Sequence, residues 1–133
     1  MKKFICLILI LVITFSFSAC VSEMPVTDIE LNSVRAELLS NEFATQEKYE
    51  RQRYNVLNRG YVDDIYENYI VVLIPNSSGA TSIYVQLRYL SSELDFVRQL
   101  KKGDYVKFVG TLTELRTGGL WMYFKDVVFT EKL

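Results

Sequence analysis

Histidine is missing from all 133 residues of the chain. That absence removes the side chain that most often acts as a general base near neutral pH and most often ligates a metal. Cysteine is nearly absent too: Cys6 and Cys20 both fall within the first twenty residues. A domain beyond them has no pair from which to build an internal disulfide. No Gly-rich phosphate loop follows a strand-like run, and no serine sits in a nucleophile elbow. Positive charge is not in excess either, since 15 Lys and Arg stand against 16 Asp and Glu. Phosphate backbones are bound chiefly through Lys and Arg, which makes nucleic acid a disfavoured partner. The composition points to binding rather than catalysis, with no catalytic residue, metal site or cofactor expected.

What is present begins with an export plan. Met1-Lys2-Lys3 is a short positive segment, Phe4 to Ile13 (FICLILILVI) is unbroken and apolar, and Ser18-Ala19 places small residues just before Cys20. Charge, a short apolar core and small residues in that order are the marks of a signal peptide. The apolar run is about half the length a membrane-spanning helix needs. Phe17-Ser18-Ala19-Cys20 resembles the lipobox of bacterial lipoproteins, with Phe17 where that family prefers an aliphatic residue. The resemblance implies cleavage after Ala19, a diacylglyceryl thioether on Cys20, and acylation of the freed amine by a chain such as palmitate. Each buried methylene contributes about 0.8 kcal/mol, and two or more chains hold firmly where one does not. The expected division is therefore a signal peptide over 1–19, a lipidated tether over 20–27 and a domain over 28–133. The location implied is extracytoplasmic, held to the bacterial cell membrane through Cys20. Cleavage removes Lys2 and Lys3 and leaves 114 residues with a formal charge of −3. That length supports a core without metals or disulfides.

The domain opens with a helical pattern. Pro25 discourages helix before it, and Thr27-x-x-Glu30 has the spacing of a capping box. Ile29, Leu31, Val34, Leu38 and Leu39 recur at helical spacing, which predicts a helix from Asp28 to Leu39 that continues irregularly through Phe43 to Tyr49. From Arg53 the period becomes two. Tyr54 to Ile65 reads as a long strand with a bulge or bend at Gly60. Tyr69 to Ile74 reads as a second strand, ended by the Pro75-Asn76-Ser77-Ser78-Gly79 turn. Ile83 to Leu87 is a third strand, with Ile83, Val85 and Leu87 inward. Ser91 or Ser92 can cap a short helix whose Leu94, Val97 and Leu100 share a face, stopped at Gly103. Tyr105 to Leu112 and Leu120 to Phe129 complete the strands, turned at Thr117-Gly118-Gly119.

Five strands with a helix between the third and fourth follow the plan of the OB fold. The stretch Glu42 to Val128 resembles an OB-fold lipoprotein family labelled "tRNA-anticodon-like". Asn41-Glu42, Tyr49, Gly60, Leu100-x-x-Gly103-Asp104-x-Val106 and Gly110 carry the resemblance, with Glu50-Arg51 where the family commonly has Lys-Gly. The fold class implied is mainly β: a five-stranded OB fold, that is a Greek-key β-barrel, preceded by an N-terminal α-helix.

Two surface groups could carry chemistry. Asp63, Asp64 and Glu67 form an acidic cluster, but it lacks the ladder spacing of a calcium loop, and a solvated hairpin turn accounts for it. The second group is aromatic and basic. Tyr84 and Arg88 share the outward parity of the third strand, and Trp121, Tyr123 and Lys125 share one parity of the last. OB folds bind oligonucleotides and oligosaccharides largely on the face of strands two and three, and bases stack on aromatics. Aromatics also serve simply as strand residues. The expected function is a non-enzymatic, lipid-anchored binding module for an envelope protein, peptide or glycan. The rivals are an oligonucleotide-binding OB-fold protein and a structural subunit docked on an envelope complex through its N-terminal helix.

Acylation needs the Cys20 thiol, so mass spectrometry of the processed N-terminus should find Cys20 first and lipid-modified, and Cys20→Ser should block normal processing. An unmodified Cys20, or a mature start elsewhere, would falsify the anchor.

Overall fold

The computed structural model describes residues 24–76, 81–118 and 120–132. The expected signal peptide, Cys20, and the Ser77-Ser78-Gly79 part of the hairpin turn lie outside the described residues, as does Gly119. The elements in chain order are β1 (Val26–Ile29), α1 (Leu31–Ser40), α2 (Glu42–Tyr49), β2 (Arg53–Val56), β3 (Gly60–Ile65), β4 (Ile70–Ile74) and β5 (Ile83–Tyr89). A 3-10 turn at Ser91–Glu93 leads into α3 (Leu94–Gln99), and β6 (Tyr105–Arg116) and β7 (Trp121–Lys132) follow.

The sheet order is β1-β2-β6-β3-β4-β5-β7, and β7 returns to pair with β6. Five strands, β6, β3, β4, β5 and β7, thereby close a ring. β5 and β7 run parallel, while the other ring pairs are antiparallel. β2 continues along the same edge of β6 as β3, and β1 adds to β2 in parallel. The helix α3 lies between β5 and β6, the third and fourth strands of the ring in chain order.

This corrects the expected count of five strands to seven among the described residues. The long strand foreseen from Tyr54 to Ile65 is divided into β2 and β3 by a break at Leu57–Arg59. The break has a cause. Asn58 turns aside to accept a hydrogen bond from the Leu31 N–H at 2.7 Å and to donate to the Glu30 carboxylate at 2.6 Å. Leu57 N–H donates to the Ile29 carbonyl at 2.9 Å. These bonds fasten the start of α1 to the sheet.

The N-terminal helix also differs from expectation. Residues 26–29 form β1 instead of the end of a tether and the start of a helix, because their backbone pairs with β2 in register from Val26–Arg53 to Ile29–Val56. Thr27 is thus not the cap. Glu30 caps α1 itself, its carboxylate accepting from the Asn32 and Ser33 N–H groups and the Ser33 hydroxyl. Asn41 ends α1 and starts α2, its side chain accepting from Ala44 N–H. Helix α2 lies along β6: Gln46 donates to the Leu115 carbonyl, and Glu50 and Glu42 accept from the Leu115 and Thr117 N–H groups. These side chains satisfy backbone groups that β2 does not reach, as buried peptide groups require.

The ring interior holds Phe108 against Phe124 edge to face at 5.2 Å, with Ile70, Ile74, Ile83, Leu87, Leu112, Leu115 and Met122 around them. Leu31, Val34 and Leu38 of α1 join this core, as their spacing predicts, but Leu39 is 59% exposed and stands outside it. Alternation places Ile83, Val85 and Leu87 inward, and Val106, Phe108 and Gly110 likewise.

A Cβ at Gly110 would stand 2.9 Å from the Val127 Cγ2 and 3.3 Å from the Phe124 ring. Gly110→Val should therefore overpack the ring and lower stability by about 1–3 kcal/mol, read in a thermal melt. A second measurement addresses Glu30. Burial pushes its carboxyl up, but the Asn58 amide and the Asn32 and Ser33 donors outweigh that and hold it at about 2, against an ordinary 4.5. The depressed value means that Glu30 stabilises the fold above pH 4.5 and that this contribution is lost as pH falls toward 2. Glu30→Ala should cost about 1 kcal/mol at neutral pH, the scale of a lost N-cap, and should flatten the acid limb of the stability curve between those values. An unchanged acid limb would show that Glu30 is not the cap that matters.

Candidate binding face

The parallel register of β5 and β7 sets Tyr84 beside Trp121 and Gln86 beside Tyr123. Their alternate residues Val85, Leu87, Met122 and Phe124 fill the ring, so these side chains are turned outward. The rings of Tyr84 and Trp121 stack at 5.0 Å with planes 23° apart. Trp121 and Tyr123 stack at 6.0 Å, also at 23°. Three near-parallel rings, each half-buried, thus form a ladder across two strands. Stacked aromatic pairs contribute about 0.5–1.5 kcal/mol beyond the area they bury.

Arg116 completes the ladder. It ends β6 directly opposite Trp121, and its guanidinium lies 5.4 Å from the Tyr123 ring centre. Its Nε donates to Glu114 at 2.6 Å, and that bond raises the guanidinium above its already high ordinary value. Arg116 escaped the sequence reading because only the β6–β7 register reveals it. The Thr117-Gly118-Gly119 turn was the available signal, since a four-residue connection puts 116 across from 121.

Of the five residues singled out from sequence, Tyr84, Trp121 and Tyr123 meet in the ladder. Lys125 follows two residues on along β7, exposed on the same side. Arg88 does not join them. It stands four residues beyond Tyr84, at the other end of β5, and lines an open hollow of about 820 Å³. Tyr66, Glu67, Leu94, Val97 and Arg98 also border that hollow. Its hairpin is internally tied: the Tyr89 hydroxyl donates to the Glu67 carbonyl, and Tyr66 and Tyr69 stack at 4.6 Å. Asp64 accepts from the Ile65 N–H and the Tyr66 hydroxyl and lies 3.6 Å from Lys102, and these donors, Ile65 foremost, hold its carboxyl below the usual range. The acidic cluster is thus tied into the hairpin through Asp64. The ladder offers stacking surface with a guanidinium at its end.

The closed ring, its parallel β5–β7 seam and the helix before β6 define a mainly β protein with an OB-like fold. Among solved structures, the chain is similar to a candidate nucleic acid-binding lipoprotein from Klebsiella pneumoniae, with a TM-score of 0.58 and 15% identity, over 81% of this chain and 92% of that one. Weaker likenesses are to yeast Stn1 and Ten1, at a TM-score of 0.45 and 12% identity over 80% and 64% of the two chains. An OBody bound to hen egg-white lysozyme gives 0.43 and 15% identity over 65% and 88%. At these identities the likeness concerns the fold alone. No family model matches the chain, and no curated protein matches it in sequence. Among the described residues, no helix is long and apolar enough to cross a membrane.

Proposed function

We propose that this chain is a non-enzymatic, lipid-anchored module of the bacterial cell envelope that binds its ligand on the β5–β7 face. The observation that carries this reading is the Tyr84–Trp121–Tyr123 ladder with Arg116 laid over its end. Large rings already held in a stack lose little freedom on binding, and such residues dominate interface energetics when they are covered. The anchor is Cys20, on the strength of the lipobox resemblance at residues 17–20. The ligand is an envelope protein, peptide or glycan, because an exported acidic domain is poorly matched to phosphate backbones.

Binding of single-stranded nucleic acid is the second reading. The description of the Klebsiella pneumoniae structure favours it, as does an aromatic face with an arginine, on which bases can stack.

Trp121→Ala in the full chain separates these roles from mere sheet packing. Losing two stacks should lower stability by about 1–2 kcal/mol and leave the domain folded. Capture of envelope glycan fragments or peptides should fall by 2 kcal/mol or more, which is about 30-fold. Wild-type binding to a mixed-sequence single-stranded oligonucleotide that weakens steeply with salt would transfer the face to the second reading. Unfolding of the variant would make Trp121 a structural residue and remove the ladder from the site.

A further inference from the structure

The described chain enters the fold beside the ladder. Met24, 49% exposed, lines a shallow recess with Arg51, Thr113, Lys125 and Asp126. Lys125 lies on the same outward side of β7 as Tyr123 and Trp121. Thr113 donates its hydroxyl to the Tyr123 carbonyl at 3.0 Å, which ties the recess to the ladder. Along β7 the distance from Lys125 to Trp121 is about 13 Å, at roughly 3.3 Å per residue. One continuous strip therefore runs from the point of chain entry through Lys125 and Tyr123 to Trp121 and Tyr84.

Four chain steps separate Met24 from Cys20. Even fully extended they reach no more than about 14 Å. A diacylated Cys20 sits at the boundary of headgroups and acyl chains, so Met24 is held within that reach of the bilayer. A domain on so short a lead cannot present every side equally, and the sides near its point of attachment are the ones brought to the surface.

The chemistry of the strip suits that position. Tryptophan and tyrosine favour the membrane–water interface, where an apolar ring and a polar edge are both satisfied. Arg51 and Lys125, both exposed, can approach anionic headgroups, each such cation contributing on the order of 1 kcal/mol near a charged leaflet. Opposing them are Asp126 in the recess and Glu114, the latter held by Arg116. Met24 and Val26 add half-exposed apolar surface at the entry point.

We propose that the lipidated protein lies with this strip against the bilayer, Trp121 and Tyr123 in the phospholipid headgroup layer and Lys125 and Arg51 on anionic headgroups. The proposal rests on the Cys20 anchor. It narrows the binding-module reading, because an envelope ligand then reaches the ladder only from the membrane surface.

Trp121 is the sole tryptophan, so its fluorescence reports this one place. The full lipidated chain would be reconstituted into vesicles of phosphatidylcholine and phosphatidylglycerol, with or without bromine on the lipid chains near the headgroup. Brominated lipid should quench Trp121, and iodide should reach it several-fold less well than in Lys125→Glu, an exposed change whose folding circular dichroism checks. Three results decide the matter. A chain that floats with the vesicles and shows this quenching supports the orientation. A chain that floats while Trp121 is as bright in brominated lipid as in plain lipid, and open to iodide, overturns the orientation and leaves the anchor standing. A chain that does not float overturns the anchor, and the orientation falls with it.

Discussion

Strand β6 is the constraint on which the molecule depends. Along one edge it pairs with β7 from Val106 to Arg116. Along the other it takes β3, then β2, then the side chains of α2. A twelve-residue strand with a free edge invites pairing with another chain. Here helix side chains complete what short strands leave open, so α2 acts as a substitute strand that cannot be extended. The register slips three times between β6 and β7, and such irregularities sharpen the twist that a closed ring needs. A slip elsewhere would turn Phe108 and Leu112 out and the charged residues in.

Much of this was legible. The alternation of Ile83 to Leu87, the inward Gly110 and the outward Trp121 and Tyr123 all follow from a period of two, because one face of each strand must be dry. The short helix before Tyr105 was legible for the same reason, through Val97 and Leu100. What stayed hidden depends on partners distant in sequence. β1 is four residues, VTDI, whose pattern says nothing until β2, 27 positions on, supplies its hydrogen bonds. Glu30 satisfied the spacing of a capping box with Thr27, yet the same carboxylate does the capping once Asn58 is folded beside it. The break at Asn58 was hidden likewise, since its side chain serves α1 and not the strand. Leu39 fits a helical stripe, yet Leu31, Val34 and Leu38 take the buried side of α1 and Leu39 stands off it, exposed.

The candidate face follows the same logic at smaller scale. Parity predicts that Tyr84 and Trp121 point outward, but not that they touch; contact needs the parallel register of β5 and β7. Arg88 shows the limit of parity, for it points outward from the same strand and yet borders a different hollow. Side chains two rows apart on one strand are separated by more than their own reach. A face is therefore assembled across strands, and its membership is decided by topology. The stack also has a cost for plasticity: rings that lean on one another with planes 23° apart are presented in a set arrangement, which favours partners that already match it.

The position of β7 in the chain has a temporal consequence. This strand alone makes both closing contacts of the ring, parallel to β5 and antiparallel to β6, and it follows every other element. A chain emerging from its N-terminus presents β1 through β6 with no seam to close. The β6–β7 pairing is a local hairpin, but the β5–β7 pairing joins residues as far apart as Tyr84 and Trp121, and such distant contacts form more slowly. Until β7 is free to pair, the chain thus holds no completed ring. The fold locks only once β7 has docked between β5 and β6.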